Sequence, residues 1–246
     1  MFCHGSPGSR LQRRVFMNDL SGVRMITPDR PGCGQSDYQP GRRIGDWVDD
    51  ATVLVEHLGL SGLGVPGFSG GTPYAIAAAT PDLPVRAMGI VSGDAPPGRL
   101  SDVPTGLGDV AERWPRIISL LLRFSGFIAR VAPDFTANCA TSSLSPPDQL
   151  VVAEPRIRSA FLEMLRDALR QGPKGALLDL QLAAREWERG TAPRSDPGSD
   201  LAWGGRHGCP ALNRPLLGGE AARGRGRHLS RRRPRIGVRA PVTTDR

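Results

Sequence analysis

The chain has 246 residues, 39% of them hydrophobic, which is enough to bury a core as one domain carrying an insertion. No apolar run approaches the ~18 residues of a membrane span, and MFCHGS lacks the basic start and apolar stretch of a secretory signal, so a soluble, cytoplasmic protein with no membrane partner is expected. The net charge of +8 invites nucleic acid as a partner, but residues 188–246 hold 13 arginines against five acids and carry the whole excess, leaving 19 basic and 19 acidic groups in residues 1–187. Cys3, Cys33, Cys139 and Cys209 have no paired short spacing, so neither a metal site nor a redox dithiol is expected and the thiols read as reduced.

In chain order, SGVRMITP (21–28) is a short β-prone run that ends at the turn-forming DRPGCGQSD. GDWVDDATVLVEHLGL repeats Trp47, Ala51, Leu54, Val55 and Leu58 at helical spacing, with Gly59 as a stop. LGVPG (63–67) is a brief apolar strand, followed by a helix from about Thr72 to Ala79 and by a second buried strand in VRAMGIVSG. This alternation predicts a parallel sheet covered on both faces. From residue 100 to 187 three helical segments follow: WPRIISLLLRFSGFIARVA, EPRIRSAFLEMLRDALRQG and GPKGALLDLQLAAREW. The expected organisation is an α/β core over 1–99, a helical lid with a return helix over 100–187, and an Arg/Gly/Pro-rich tail of low order over 188–246.

GFSGG fits G-x-S-x-G through Gly67, Ser69 and Gly71, on a strand-to-helix turn that only small flanking residues allow. The start of the following helix points free N–H groups toward the serine, favouring developing negative charge. A solvated serine in a Gly-rich turn would satisfy the same five residues, so the neighbours decide. FCHGSPGSR has the HG-x-P form, DRPGCGQSD follows it, and VSGDAPP follows the elbow. In this order and spacing the four segments resemble the α/β-hydrolase superfamily, nearest to serine esterases and peptidase-like members, over roughly residues 2–187.

The resemblance implies a three-layer α/β-hydrolase fold with a helical lid. It also implies hydrolysis of an ester or amide bond of a small molecule, without cofactor or metal. By position it makes Ser69 the nucleophile and the N–H groups of Gly70 and Ser6 the oxyanion donors, since Pro7 has no N–H to give. Asp29 and Arg30 match the loop that braces the HG-x-P turn. The chain departs from the pattern in two ways. Pro66 occupies a central strand, where it removes a ladder hydrogen bond, and the chain begins at the end of the family's third strand, so the sheet is expected to be incomplete.

A serine needs a histidine to take its proton and an acid to orient that histidine. The resemblance places the acid after a strand that follows the lid, in a segment like WHGEADxxVP, and the histidine nearer the C-terminus. Neither is readable here. Asp94, after the VRAMGIVSG strand, is the candidate acid, with a turn aspartate as the alternative. His228 in RHLS is the candidate base; His57 reads as a surface residue and His4 as part of the oxyanion loop. One choice of codons for DLAWGGRHGCP (200–210), shifted by a base, reads TWHGEADTVVP. A frameshift after about residue 187 is therefore expected, with the acid lost at the Arg206/His207 junction. Two alternatives remain open: a catalytically inactive remnant without the triad acid and histidine, and a basic-tailed nucleic-acid-binding protein, which the neutral first 187 residues disfavour.

Overall fold

A computed structural model describes residues 1–16, 22–93, 107–142, 144–185, 187 and 202–204. A 3-10 turn and the short helix α1 (Arg13–Phe16) follow the N-terminal loop. Next come α2 (Asp46–His57), β1 (Leu63–Phe68), α3 (Thr72–Ala78) and β2 (Val85–Val91). The segment expected as a lid with its return helix comprises α4 (Leu107–Arg113), α5 (Pro115–Val131), α6 (Pro133–Ser142), α7 (Pro146–Ala153), α8 (Pro155–Ala168) and α9 (Lys174–Ala184). A last strand, β3, spans Ala202–Gly204, within the segment expected to be of low order.

The three strands form one parallel sheet in the order β1-β2-β3, with Phe68 opposite Val91 at the carboxyl end. β1 alternates as a half-buried strand should, with Leu63, Val65 and Gly67 inward. Pro66 costs this sheet little. Pro66 O accepts from Cys3 N at 2.9 Å and Phe68 N donates to Cys3 O at 3.1 Å, so residue 66 faces the N-terminal segment rather than β2. The missing N–H therefore falls on the side where the Cys3–Gly67 bridge forms, and the β1–β2 ladder runs unbroken from Gly64 to Phe68 after a register shift between Leu63 and Gly64.

Two expectations are corrected. Residues 23–28 form no strand; Phe2 N donates to Ile26 O at 2.7 Å, and one bond does not make a ladder. β2 is not buried: Arg86, Ala87 and Val91 are exposed, because α3 is the main described helix packed against it and Val85 and Met88 reach the core only partly.

α2 forms where its sequence predicts. Trp47, Ala51 and Val55 face inward at i, i+4, i+8, and Asp46 and Asp49 sit in the first turn, where the helix dipole favours acids. Gly59, at φ +62, ends it: Leu60 N reaches back to Val55 O and Gly59 N to Glu56 O, each at 3.0 Å. In the lid, α5, α6, α7 and α8 each open on a proline, whose missing N–H is spare in a first turn.

Trp47, Val55, Leu63, Val65, Tyr74 and Ala75 centre one core, which Leu182 of α9 and Trp187 also enter. Ile118, Leu122, Leu165, Leu169, Ala176 and Leu180 make the lid core. α9 thus inserts one face into each.

Candidate active site

β1 stops at Phe68 and the chain turns through Ser69, Gly70 and Gly71 directly into α3. Ser69 adopts φ +49, a left-handed conformation that non-glycine residues seldom hold and that marks a strained turn. The flanking glycines are required by contact. A Cβ on Gly67 would lie 2.7 Å from Ala75 Cβ and 3.0 Å from Gly71 O, and one on Gly71 would run into the Cys3 carbonyl. Gly67 thus permits the close packing of β1 on α3, and Gly71 the close apposition of the elbow to residues 3 and 4.

The N-terminal loop lies against the elbow. A Cβ on Gly70 would be 3.0 Å from Ser6 Cβ and 3.3 Å from Ser6 N, so the Ser6 and Gly70 backbones are neighbours. Neither N–H donates to another of the described residues. The loop is held by Gly5 N donating to Gln12 Oε1 at 2.5 Å, and the Ser6–Pro7 bond is cis. His4 Nδ1–H donates to Gly5 O at 2.9 Å, leaving Nε2 to accept from Arg30 N at 3.3 Å. Burial, with the nearby Arg30 charge, pushes His4 down to about 3, so it stays neutral and fixed in the loop. His57 is exposed in the last turn of α2.

Asp29 ties the second loop to the first. Its carboxylate accepts from Arg10 N and Arg10 Nη1, each at 2.6 Å, and from Gln35 N at 3.0 Å. Arg30 is fully buried; it donates to the His4 carbonyl, to Gly5 O at 3.0 Å and to Ser6 Oγ at 2.9 Å.

Arg30 ends on Asp179, a residue the sequence reading did not single out. Arg30 Nε and Nη2 reach Asp179 Oδ2 at 2.9 and 2.7 Å, and Ser6 Oγ donates to the same oxygen at 3.1 Å. Asp179 Oδ1 accepts from Arg42 Nη2 and, at 2.9 Å, from Tyr74 OH; the Arg30 guanidinium also stacks 4.4 Å from the Tyr74 ring centre. Burial alone would raise the Asp179 carboxyl, but the Arg30 and Arg42 guanidiniums outweigh it and hold Asp179 well below the usual carboxylate range. Burial, and then the Asp179 charge, pushes Tyr74 well above its ordinary value. A signal for Asp179 exists in the sequence: an acid inside the apolar run ALLDLQLAA, on the face shared with Gly175 and Leu182.

The structure therefore brings Ser69, Gly70 and Ser6 together. Asp94 and His228 lie outside the described residues, as does the Arg206/His207 junction. Ser69 Oγ has no hydrogen-bond partner among the described residues. Ser92 follows the β2 partner of Phe68 and, at φ +47, has the same left-handed backbone. Neither the 580 Å³ cleft along Pro28, Tyr38, Pro40 and Trp47 nor the 390 Å³ cleft along α5 is lined by Ser6, Ser69 or Gly70. Among the described residues no helix is long and apolar enough to cross a membrane.

A sequence profile described as the alpha/beta hydrolase fold matches residues 1–135. A thermophilic esterase from Thermogutta terrifontis, solved with malate bound, is 23% identical at a TM-score of 0.51, over 75% of this chain and 62% of that one. An alpha/beta hydrolase fold protein from Nakamurella multipartita is 25% identical at a TM-score of 0.52, over 75% of this chain and 66% of its own. A hydrolase from Pseudomonas aeruginosa PA01 is 18% identical at a TM-score of 0.51, over 75% and 63%. The chain thus spans less than two thirds of the length of each of these structures. No curated protein matches it.

Proposed function

Because the chain belongs to the alpha/beta hydrolase fold family, we propose that it cleaves an ester or amide bond of a small molecule with Ser69 as nucleophile. The observation that carries this reading is the left-handed Ser69 at the end of β1, with the Ser6 and Gly70 backbones side by side and their N–H groups unspent. Ser69 Oγ adds to the carbonyl carbon as His228 takes its proton, which later passes to the leaving group, and the carbonyl π electrons move onto oxygen. The N–H groups of Ser6 and Gly70 receive that oxyanion, a contribution worth ~10²–10³ in rate per donor in related chemistry. Collapse expels the alcohol or amine, which takes up a proton, and water then releases the acid from the acyl-enzyme.

Asp94 as acid and His228 as base complete the proposal. A small hydrophobic acyl or alcohol group is in keeping with the exposed Ile117, Leu120, Leu121 and Phe124 of α5. We place the protein in the cytoplasm, consistent with free thiols at Cys3, Cys33 and Cys139.

One observation favours a second reading, that of an inactive remnant. Ser69 Oγ has no base beside it among the described residues, because His4 is committed to its loop and His57 lies out on α2. Loss of triad partners costs ~10⁴-fold or more. Turnover of p-nitrophenyl acetate separates the readings. The enzyme reading expects hydrolysis that Ser69→Ala abolishes and His228→Ala lowers by ~10⁴-fold; hydrolysis no faster than that of Ser69→Ala supports the remnant.

A further inference from the structure

The carboxylate of Asp179 holds two separate pieces of the candidate site, one with each oxygen. Oδ2 takes the Ser6 hydroxyl at 3.1 Å and two N–H groups of Arg30, whose remaining donors grip the carbonyls of His4 and Gly5. Oδ1 takes the Tyr74 hydroxyl at 2.9 Å, and Tyr74 lies in α3, the helix that continues from Ser69 and Gly70. Ser6 Oγ is spent in both directions, donating to Asp179 and accepting from Arg30 at 2.9 Å, so its rotamer is fixed and the adjoining backbone with it. Tyr74 OH is spent likewise, donating to Asp179 and accepting from Arg42 at 2.8 Å.

We propose that Asp179 is the positioning residue of the oxyanion site: it sets the Ser6 N–H against the Gly70 N–H by clamping the HG-x-P loop to the helix of the elbow. The consequence for rate rests on Ser69 being the nucleophile; the clamp itself does not. Asp179 does not touch the reacting atoms. Among the described residues its carboxylate is the one ion-pair partner within 4 Å of the two buried guanidiniums, with the partly exposed Asp50 acting on Arg42 from further off, so positive charge is in local excess beside Ser6. That surplus gives the test a sign. Charge alone makes the Asp179→Asn variant better at holding an anion, since both arginines then lose their buried counter-charge. Positioning makes it worse.

The test uses the full chain and an alkyl fluorophosphonate. Attack by Ser69 forms the Oγ–P bond and breaks the P–F bond, fluoride leaves, and the serine proton passes to solvent. Asp179→Asn is expected to lower the maximal labelling rate by ~10²-fold with the half-saturating concentration unchanged. Because removing a buried counter-charge can unfold a protein, Ser6→Ala and Tyr74→Phe supply gentler cuts. Each removes one hydroxyl tie and leaves both arginines paired, and each is expected to slow labelling by ~10-fold at an unchanged half-saturating concentration. Faster or unchanged labelling in folded variants overturns the proposal. So does a loss that appears only as weaker probe binding.

Amide exchange decides the clamp apart from the chemistry. In Ser6→Ala and Tyr74→Phe the Gly5 and Arg30 amides, bonded to Gln12 and His4, are expected to exchange faster while α5 is unchanged. Equal exchange overturns the clamp. If the unmodified chain takes no label at Ser69, the nucleophile reading fails and the exchange result still stands for or against Asp179.

Discussion

Ser69 is held at φ +49 by what surrounds it rather than by its own preference. Gly67 is part of that constraint, so Gly67→Ala, which brings a methyl to 2.7 Å from Ala75 Cβ, is expected to destabilise the fold by about 1–3 kcal/mol. Urea unfolding measures this, and a cost near zero would mean that β1 and α3 are less tightly apposed.

His4 gives a pH dependence with a definite sign. Its folded value is depressed to about 3 from an ordinary 6.5, so between those values the unfolded chain binds the extra proton. Stability is therefore full above pH 6.5 and falls as pH drops toward 3, by on the order of 5 kcal/mol over the whole window. Asp179, also depressed, adds a second loss as pH falls through and below the ordinary carboxylate value of 3.8. His4→Gln, which keeps an acceptor for the Arg30 N–H, is expected to flatten the urea midpoint between pH 4 and 6.5; an unchanged slope there contradicts a neutral buried His4.

At the scale of elements, turns built by short loops were legible and contacts made across the fold were not. GFSGG and HGSP declare themselves because glycine and proline at fixed offsets have few uses other than tight turns. α2 declares itself by its spacing and its terminal Gly59. The run 21–28 misleads because β-prone residues say nothing about whether a neighbouring strand exists to pair with them. Asp179 escaped notice because an acid in a helix ordinarily lies on the solvent side, and only the fold brings Arg30 and Arg42 from 149 and 137 positions away to neutralise it. Pro66 reads as disruptive in one dimension and is harmless in three, since its missing N–H falls on the side of the short N-terminal segment. Pro66→Ala is accordingly expected to change stability by less than ~1 kcal/mol in urea unfolding; a larger change would place residue 66 in the β1–β2 ladder.

Across the whole molecule, α9 is the link between body and lid. Leu182 enters the body core, Ala176 and Leu180 enter the lid core, and Asp179 between them bonds Ser6 and Arg30 with one oxygen and Tyr74 and Arg42 with the other. A parallel sheet with helices followed from the alternation of β-prone and amphipathic segments, and the run of helices after residue 107 from the change to helical spacing. The triad partners did not become visible by either route, because the candidate acid and base sit in segments with no periodicity to read.

The central claim, that Ser69 is an activatable nucleophile facing an oxyanion site, is tested most directly by fluorophosphonate labelling of the purified chain with peptide mapping of the adduct. One adduct is expected, on Ser69, lost in Ser69→Ala. An unlabelled chain, or an adduct on Ser92 instead, would contradict it.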